Sequence, residues 1–289
     1  MSIVTRARNW ASTMRARSRS LQADLFPDRR QDLAVLAIMK NESLNVDEWI
    51  EHYIWQGADH IFIIDNGSTD DTREKILASR HGPKLTLVTY PRKHAQSDHY
   101  RRVFRTQKIR SRFRWLLAVD ADEFCFPKQH GTLPEALRAL DWFDVIYVQW
   151  TYFGCRDQIN HPKSLREGLL YRQPALGSHW NTKWFAKTDV LRGQALSIHK
   201  VRGANSAKTI TANDYFQLNH YQTQSLEFWT QVKMTRGDAA LSTFEAGRNL
   251  ALFEKFNQDA DQVETTLADK VKTHAAAMAD ALRLSIPTG

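Results

Sequence analysis

Cysteine is nearly absent from this 289-residue chain, and the two present, Cys125 and Cys155, have neither metal-ligand nor redox spacing. That excludes a disulfide scaffold and a cysteine-built zinc module, and predicts two buried thiols in a reducing compartment. No run approaches the ~18 consecutive apolar residues of a membrane span. The N-terminal residues lack the apolar core of a secretory signal, so a cytoplasmic chain is the expectation. Internal repeats and low-complexity tracts are also missing. No helix-turn-helix, zinc or RNA-binding signature stands in the sequence, which argues against nucleic acid as a partner.

What is present is an ordinary globular composition, 42% hydrophobic and 25% charged, enough to bury one substantial core or a core with an appendage. The net charge of +8 is concentrated. Arg6, Arg8, Arg15, Arg17, Arg19, Arg29 and Arg30 face only Asp24 and Asp28 within residues 1–30. Ile3, Val4, Trp10, Met14 and Leu21 lie among these arginines. Such a segment either lies as a helix on an anionic membrane surface, at the inner face, or is a solvated tail.

The most informative residues are Asp120-Ala121-Asp122-Glu123, at the end of the apolar run Trp115-Leu116-Leu117-Ala118-Val119. A short apolar run reads as a buried strand, and side chains two apart emerge on one face. Two acids so placed can hold a hard cation whose shell is completed by substrate phosphates. Lys40-Asn41-Glu42 follows the run Leu33 to Met39, and Asp65-Asn66-Gly67-Ser68-Thr69-Asp70 follows His60 to Ile64. In an open α/β sheet, clusters beyond the carboxyl ends of strands converge on one crevice.

Between the clusters, Asn45 and Glu48 form a capping-box-like start. Val46, Trp49, Ile50, Tyr53 and Ile54 make an apolar helical stripe, and Gly57 is placed to stop it. Ser68 and Asp71 repeat the start signal for a second helix ending near Gly82-Pro83, and Leu85 to Tyr90 reads as a strand. Alternating strands and helices predict a mostly parallel α/β sheet flanked by helices.

These residues resemble a known family. Lys40-Asn41-Glu42 with Glu48-Trp49-Ile50-Glu51-His52, then Ile64 to Asp70, then Val119-Asp120-Ala121-Asp122-Glu123-Phe124, are similar to the glycosyltransferase family 2 domain, in the branch similar to family 92. Trp150-Thr151-Tyr152-Phe153-Gly154 resembles its acceptor-side strand. Asn219-His220-Tyr221 with Ser225, Lys233 and Arg236-Gly237 resembles its closing motif. Cys155-Arg156-Asp157-Gln158 departs from the glycine-rich continuation of the family. The resemblance implies a GT-A-type domain over residues 31–238, with 239–289 as a C-terminal helical extension.

It also implies transfer of a sugar, with inversion, from a nucleotide-sugar donor (a UDP-sugar) to a saccharide, polysaccharide or lipid-linked acceptor. By the same resemblance Asp122 ligates Mn²⁺ or Mg²⁺, Asp120 contacts the ribose or a metal-bound water, and Lys40, Asn41, Glu42, Asp65 and Asn66 surround the nucleoside. His220 is the first choice for a further metal or diphosphate contact and His199 the second, since imidazole suits a transition metal. Lys183, Lys200 and Lys233 are candidates to balance phosphate charge. Inversion needs a base for the acceptor hydroxyl. Asp157, after the acceptor-side strand, is the first choice, and Glu167 the second.

Two other readings compete. A haloacid-dehalogenase-type phosphatase also places Asp-x-Asp after a strand, but it continues with Thr or Val where Phe124 stands. A non-catalytic nucleotide-binding or membrane-surface adaptor would have no need of both acids. Elsewhere, Arg101, Arg102, Arg105, Lys108, Arg110, Arg112 and Arg114 with intervening apolar residues predict one amphipathic helix near the cleft. Leu226 to Val232, Leu250 to Phe256 and Val263 to Met278 read as packing helices.

Overall fold

The computed structural model describes residues 28–178, 181–192, 195–237 and 248–285. The described residues from Asp32 onward belong to one compact unit. Residues 1–27, which carry most of the basic N-terminal segment, lie outside the described residues. Among the described residues no helix is long and apolar enough to cross a membrane.

Strands β1 (Gln31–Met39), β2 (His60–Asp65) and β3 (Leu85–Thr89) form the parallel part of the sheet. Met39 pairs with Asp65 and Asp65 with Thr89, so their carboxyl ends are level. Strand β4 (Phe113–Ala118) neighbours β1, with Val119 N donating to Leu36 O at 3.1 Å. The residues that follow β1, β2 and β4 therefore leave the sheet at one edge, as the three polar clusters predict.

The other half of the sheet is mixed, so the parallel strands of the expected nucleotide-binding part are joined to antiparallel ones. It holds β5 (Glu123–Pro127), β6 (Val145–Gly154), β7 (Tyr171–Leu176), β8 (Thr182–Lys187), β9 (Thr209–Thr211), β10 (Phe216–His220) and β11 (Gln262–Val263). Strand β8 runs antiparallel to both β4 and β6, and β7 antiparallel to β6. Strand β7 lies along the second half of β6 and β8 along its first half, so the two follow one another in the same direction across a short link.

Each face of the sheet carries its own core. Leu33, Val35, Ala37 and Met39 of β1 enter one cluster, and Ala34, Leu36 and Ile38 the other, the alternation of a strand buried on both sides. Helix α1 (Val46–Trp55) covers the first face with Trp49, Ile50 and Tyr53. Gly57, at φ +87°, ends this helix in the left-handed region, where glycine is the residue of least strain. Helix α2 (Thr72–Ala78) follows β2. Helix α3 (Gln96–Thr106) covers the second face with Tyr100 and Val103.

Several local expectations change. The basic helix is broken: α3 ends at Thr106, Lys108 takes φ +52°, and a single turn, Ile109–Arg112, leads into β4. None of its seven basic residues lines the central cavity described below. The buried side of α3 is Gln96, His99, Tyr100 and Val103 instead. Asn45 and Glu48 make no capping box. Glu48 turns away to accept from Ser164 Oγ, Leu165 N and Arg166 Nε at 2.6, 2.8 and 2.8 Å, pinning the loop after β6. Of the C-terminal residues, helix α4 (Leu250–Asn257) reaches β6, and β11 pairs with β7. Gly154 permits this approach, since a Cβ there would stand 2.5 Å from Ala260 Cβ. Both cysteines are free and buried, as expected.

Candidate functional site

A cavity of ≈ 480 Å³ opens beyond the carboxyl ends of β1, β2 and β4. It brings together Lys40, Glu42, Asn66, Asp120, Asp122, His199 and His220 from the sequence-predicted set, with Lys233 and Arg236. Asn41 and Asp65 stand behind this wall. Asn41, at φ +54°, accepts from Thr69 N at 2.8 Å and donates its own N–H to Ser68 Oγ at 3.0 Å. Ser68 therefore ties the first two loops together rather than capping α2. Asp65 accepts from Ser68 N at 2.9 Å and from Arg73 Nη1 at 3.1 Å. Asp157 is exposed on the loop after β6 and Glu167 on the short helix Leu165–Gly168 beyond it, and neither they nor Lys200 line the cavity.

The two aspartates have different partners. Strand β8 lays Trp184 against Ala118, which carries Lys183 to the end of β4. Lys183 is 1% exposed and donates to Asp120 Oδ2 at 2.6 Å, with Glu123 Oε2 at 3.5 Å. Asp120 also accepts from Gln96 Nε2 at 3.2 Å, and its N–H donates to Glu123 Oε2 at 2.8 Å. Burial, aided by the charge of Asp120, pushes the Glu123 carboxyl well above the usual range despite Lys183.

Asp122 is placed by β10, which pairs antiparallel with β5, His220 opposite Glu123, while Tyr221 N donates to Asp122 O at 2.9 Å. That register sets His220 Nε2 3.5 Å from Asp122 Oδ1. Lys233 donates to Asp122 Oδ2 from a π turn, Trp229–Lys233. Burial alone would raise the Asp122 carboxyl, but Lys233 and then His220 outweigh it and hold the group well below the usual range. Arg236, three residues on, donates to Glu42 and to Lys40 O. Glu42 accepts at its other oxygen from Asn45 Nδ2 at 3.1 Å.

The far wall is aromatic. Trp150 and Tyr152, two apart on β6, face the same side, and Trp229, Leu252 and Phe256 close the cavity. The sequence motifs miss Gln96 and Arg248, and the helical spacing marks Leu252 and Phe256 only as packing residues, because each reaches the cavity only through folding.

His199 is held differently from His220. Its Nδ1 lies 3.1 Å from Thr182 O, and burial together with the Lys183 charge brings its pKa from 6.5 down to about 4. His52, fully buried and bonded to Cys125 O, is also lowered by burial. Between pH 6.5 and about 4 the unfolded chain therefore binds protons at these imidazoles that the folded chain refuses. Stability is expected to fall as pH drops through that window, and His199→Asn is expected to reduce the slope. Equal urea midpoints at pH 6.5 and 4.5, or an unchanged slope in the variant, would contradict this.

The chain matches the family model of glycosyltransferase family 92 over residues 36–277. No curated protein matches it with significance. Among solved structures it is similar to residues 1–349 of S. aureus TarS in complex with UDP-GlcNAc, at 13% identity and TM-score 0.44, covering 89% of this chain and 77% of that one. A further TarS structure is covered over 44% of its length. Glucosyl-3-phosphoglycerate synthase from Mycobacterium tuberculosis, in complex with Mn²⁺, UDP and glucosyl-3-phosphoglycerate, is similar at 16% identity and TM-score 0.31, covering 56% of this chain and 58% of that one. With the family model spanning the strands, the cavity and α4 alike, the chain belongs to glycosyltransferase family 92 and is a glycosyltransferase.

Proposed function

We propose that the enzyme moves a sugar from a UDP-sugar to a hydroxyl of a saccharide, polysaccharide or lipid-linked acceptor, with inversion, and that Mn²⁺ or Mg²⁺ assists. The observation that carries this reading is the charge arrangement of one cavity at the carboxyl edge of the sheet. Lys40, Lys93, Lys233, Arg236 and Arg248 line it against the three carboxylates Glu42, Asp120 and Asp122. A surplus of cations over anions around an ionised aspartate suits a diphosphate with a divalent ion.

The donor set fits such an ion. Asp122 Oδ1 and His220 Nε2 face each other at 3.5 Å, an oxygen and an imidazole nitrogen of the kind Mn²⁺ accepts. His220 Nδ1 is buried without a hydrogen-bond partner. Among the described residues no third histidine, cysteine or carboxylate joins them, which leaves the rest of the shell to phosphate oxygens. Asp122 and His220 would hold the ion, and when bound it would stabilise the charge that develops on the departing diphosphate.

The chain's own groups account for the other requirements. Asn66 and Lys40, on adjacent loops, form the side of the cavity proposed for the nucleoside. Lys233, Arg236 and Arg248 form the side proposed for the diphosphate. Asp120, neutralised by Lys183, is proposed to accept from the ribose hydroxyls rather than to ligate the ion. The aromatic wall of Trp150 and Tyr152 offers an apolar face to a sugar ring. For the base, Asp157 is proposed first and Glu167 second; either would act only with the loop after β6 closed over the acceptor.

Calorimetry with UDP tests this reading. Affinity is expected to fall at least tenfold, about 1.4 kcal/mol, when Mn²⁺ is replaced by chelator. Equal affinity in both would contradict the role of the ion, and no binding in either would contradict the nucleotide.

A further inference from the structure

Asp122 already carries a cation. Lys233 is 4% exposed, and its ammonium bonds Asp122 Oδ2 while Oδ1 of the same carboxylate faces His220. Burial works against the charge of Lys233, and Asp122 supports it. The lysine is delivered by a π turn, a distortion that recurs at functional sites. A divalent ion on Asp122 would stand against this ammonium at short range, where like charges repel strongly in a poorly solvated site. The repulsion favours withdrawal of the ammonium when an ion takes Oδ1.

Lys233 is bonded to a single carboxylate, whereas its cationic neighbours each have two partners. Arg236 is fixed by Glu42 and Lys40 O, and Lys183 by Asp120 and Glu123. Lys233 rests on a flexible stem, and its cavity is the one that Arg236 and Arg248 line. Lys233 therefore lines the same cavity in which the diphosphate is proposed to sit.

Resting on the donor reading above, we propose that Lys233 is a displaceable counter-ion that holds Asp122 until a divalent ion takes the carboxylate, then transfers to the donor diphosphate, so that ion and nucleotide bind as one cooperative unit. Either ligand alone meets an obstacle. Without the diphosphate, the ammonium leaving Asp122 would have no anion to receive it; without the ion, its departure would leave the carboxylate supported by His220 alone. Together each removes the other's obstacle, and by linkage the two affinities rise by the same factor.

The test measures Mn²⁺ binding by the loss of the free-ion EPR signal, and UDP binding by calorimetry, on the full chain and on Lys233→Met. In the unaltered protein saturating UDP is expected to tighten Mn²⁺ at least tenfold, and Mn²⁺ to tighten UDP by the same factor. In Lys233→Met, Mn²⁺ without UDP is expected to bind at least tenfold more tightly than in the unaltered protein, and the coupling to fall below threefold. Lys233→Gln carries the same expectations where the methionine variant does not fold. Unchanged Mn²⁺ affinity with full coupling in either folded variant would overturn the role of Lys233 and leave the donor reading intact. UDP binding that ignores Mn²⁺ in the unaltered protein would overturn both.

Discussion

Asp122→Asn is expected to lower transfer by on the order of 10²–10³-fold, the loss seen when one preorganised electrostatic contact to a developing charge is removed. Asparagine keeps the shape and one acceptor oxygen but has no charge to pair with Lys233 or to hold an ion beside His220. Because that charge is maintained by Lys233 and His220 against full burial, the site is built for an ionised group at this position. The variant should still unfold cooperatively, since the hydrogen bond from Tyr221 N to the backbone carbonyl of residue 122 is untouched. Transfer at the unaltered rate in a folded Asp122→Asn would remove this residue from the chemistry.

Lys183→Met is expected to act on stability instead. The ammonium is 1% exposed, and its removal leaves Asp120 and Glu123 facing each other with no cation between them. Breaking a buried pair by deleting one partner costs roughly 3–5 kcal/mol. Asp120 is partly exposed, its side chain at 31%, and Glu123 is held toward its neutral form, so the low end applies. For a chain of this size that corresponds to a fall in Tm of roughly 6–12 °C. Asp120→Asn combined with Lys183→Met should recover part of the loss, because the orphaned charge is gone. An unchanged Tm in Lys183→Met would show that the pair contributes nothing net.

The parts of the molecule legible in the sequence are those fixed by short-range pattern. The runs ending at Met39, Ile64 and Val119 announce strands, and the polar clusters after them announce the crevice, because a strand end and the loop beyond it are adjacent in the chain. The stripe Val46 to Ile54 and the stop at Gly57 are local for the same reason. What escaped reading depends on residues far apart in sequence. Lys183 meets Asp120 only because β8 pairs with β4, and Lys233 meets Asp122 only because β10 returns beside β5. Glu48 has the spacing of a capping residue, but three donors at residues 164–166 outbid the local bond. The mixed half of the sheet was hidden because strand direction there is set by pairing between residues far apart in the chain. Asp157 and Glu167 follow the acceptor-side strand in sequence, but the loop and the short helix beyond it carry both to the surface.

The most direct test of the central claim, that a nucleotide-sugar diphosphate seats beside Asp122, is a crystal structure of the full chain with UDP and Mn²⁺. The diphosphate is expected in the cavity between Asp122 and Arg236, with the ion on Asp122 and His220 and the ammonium of Lys233 moved onto a phosphate oxygen. UDP bound outside this cavity, or bound within it with its phosphates away from Asp122, would contradict the account.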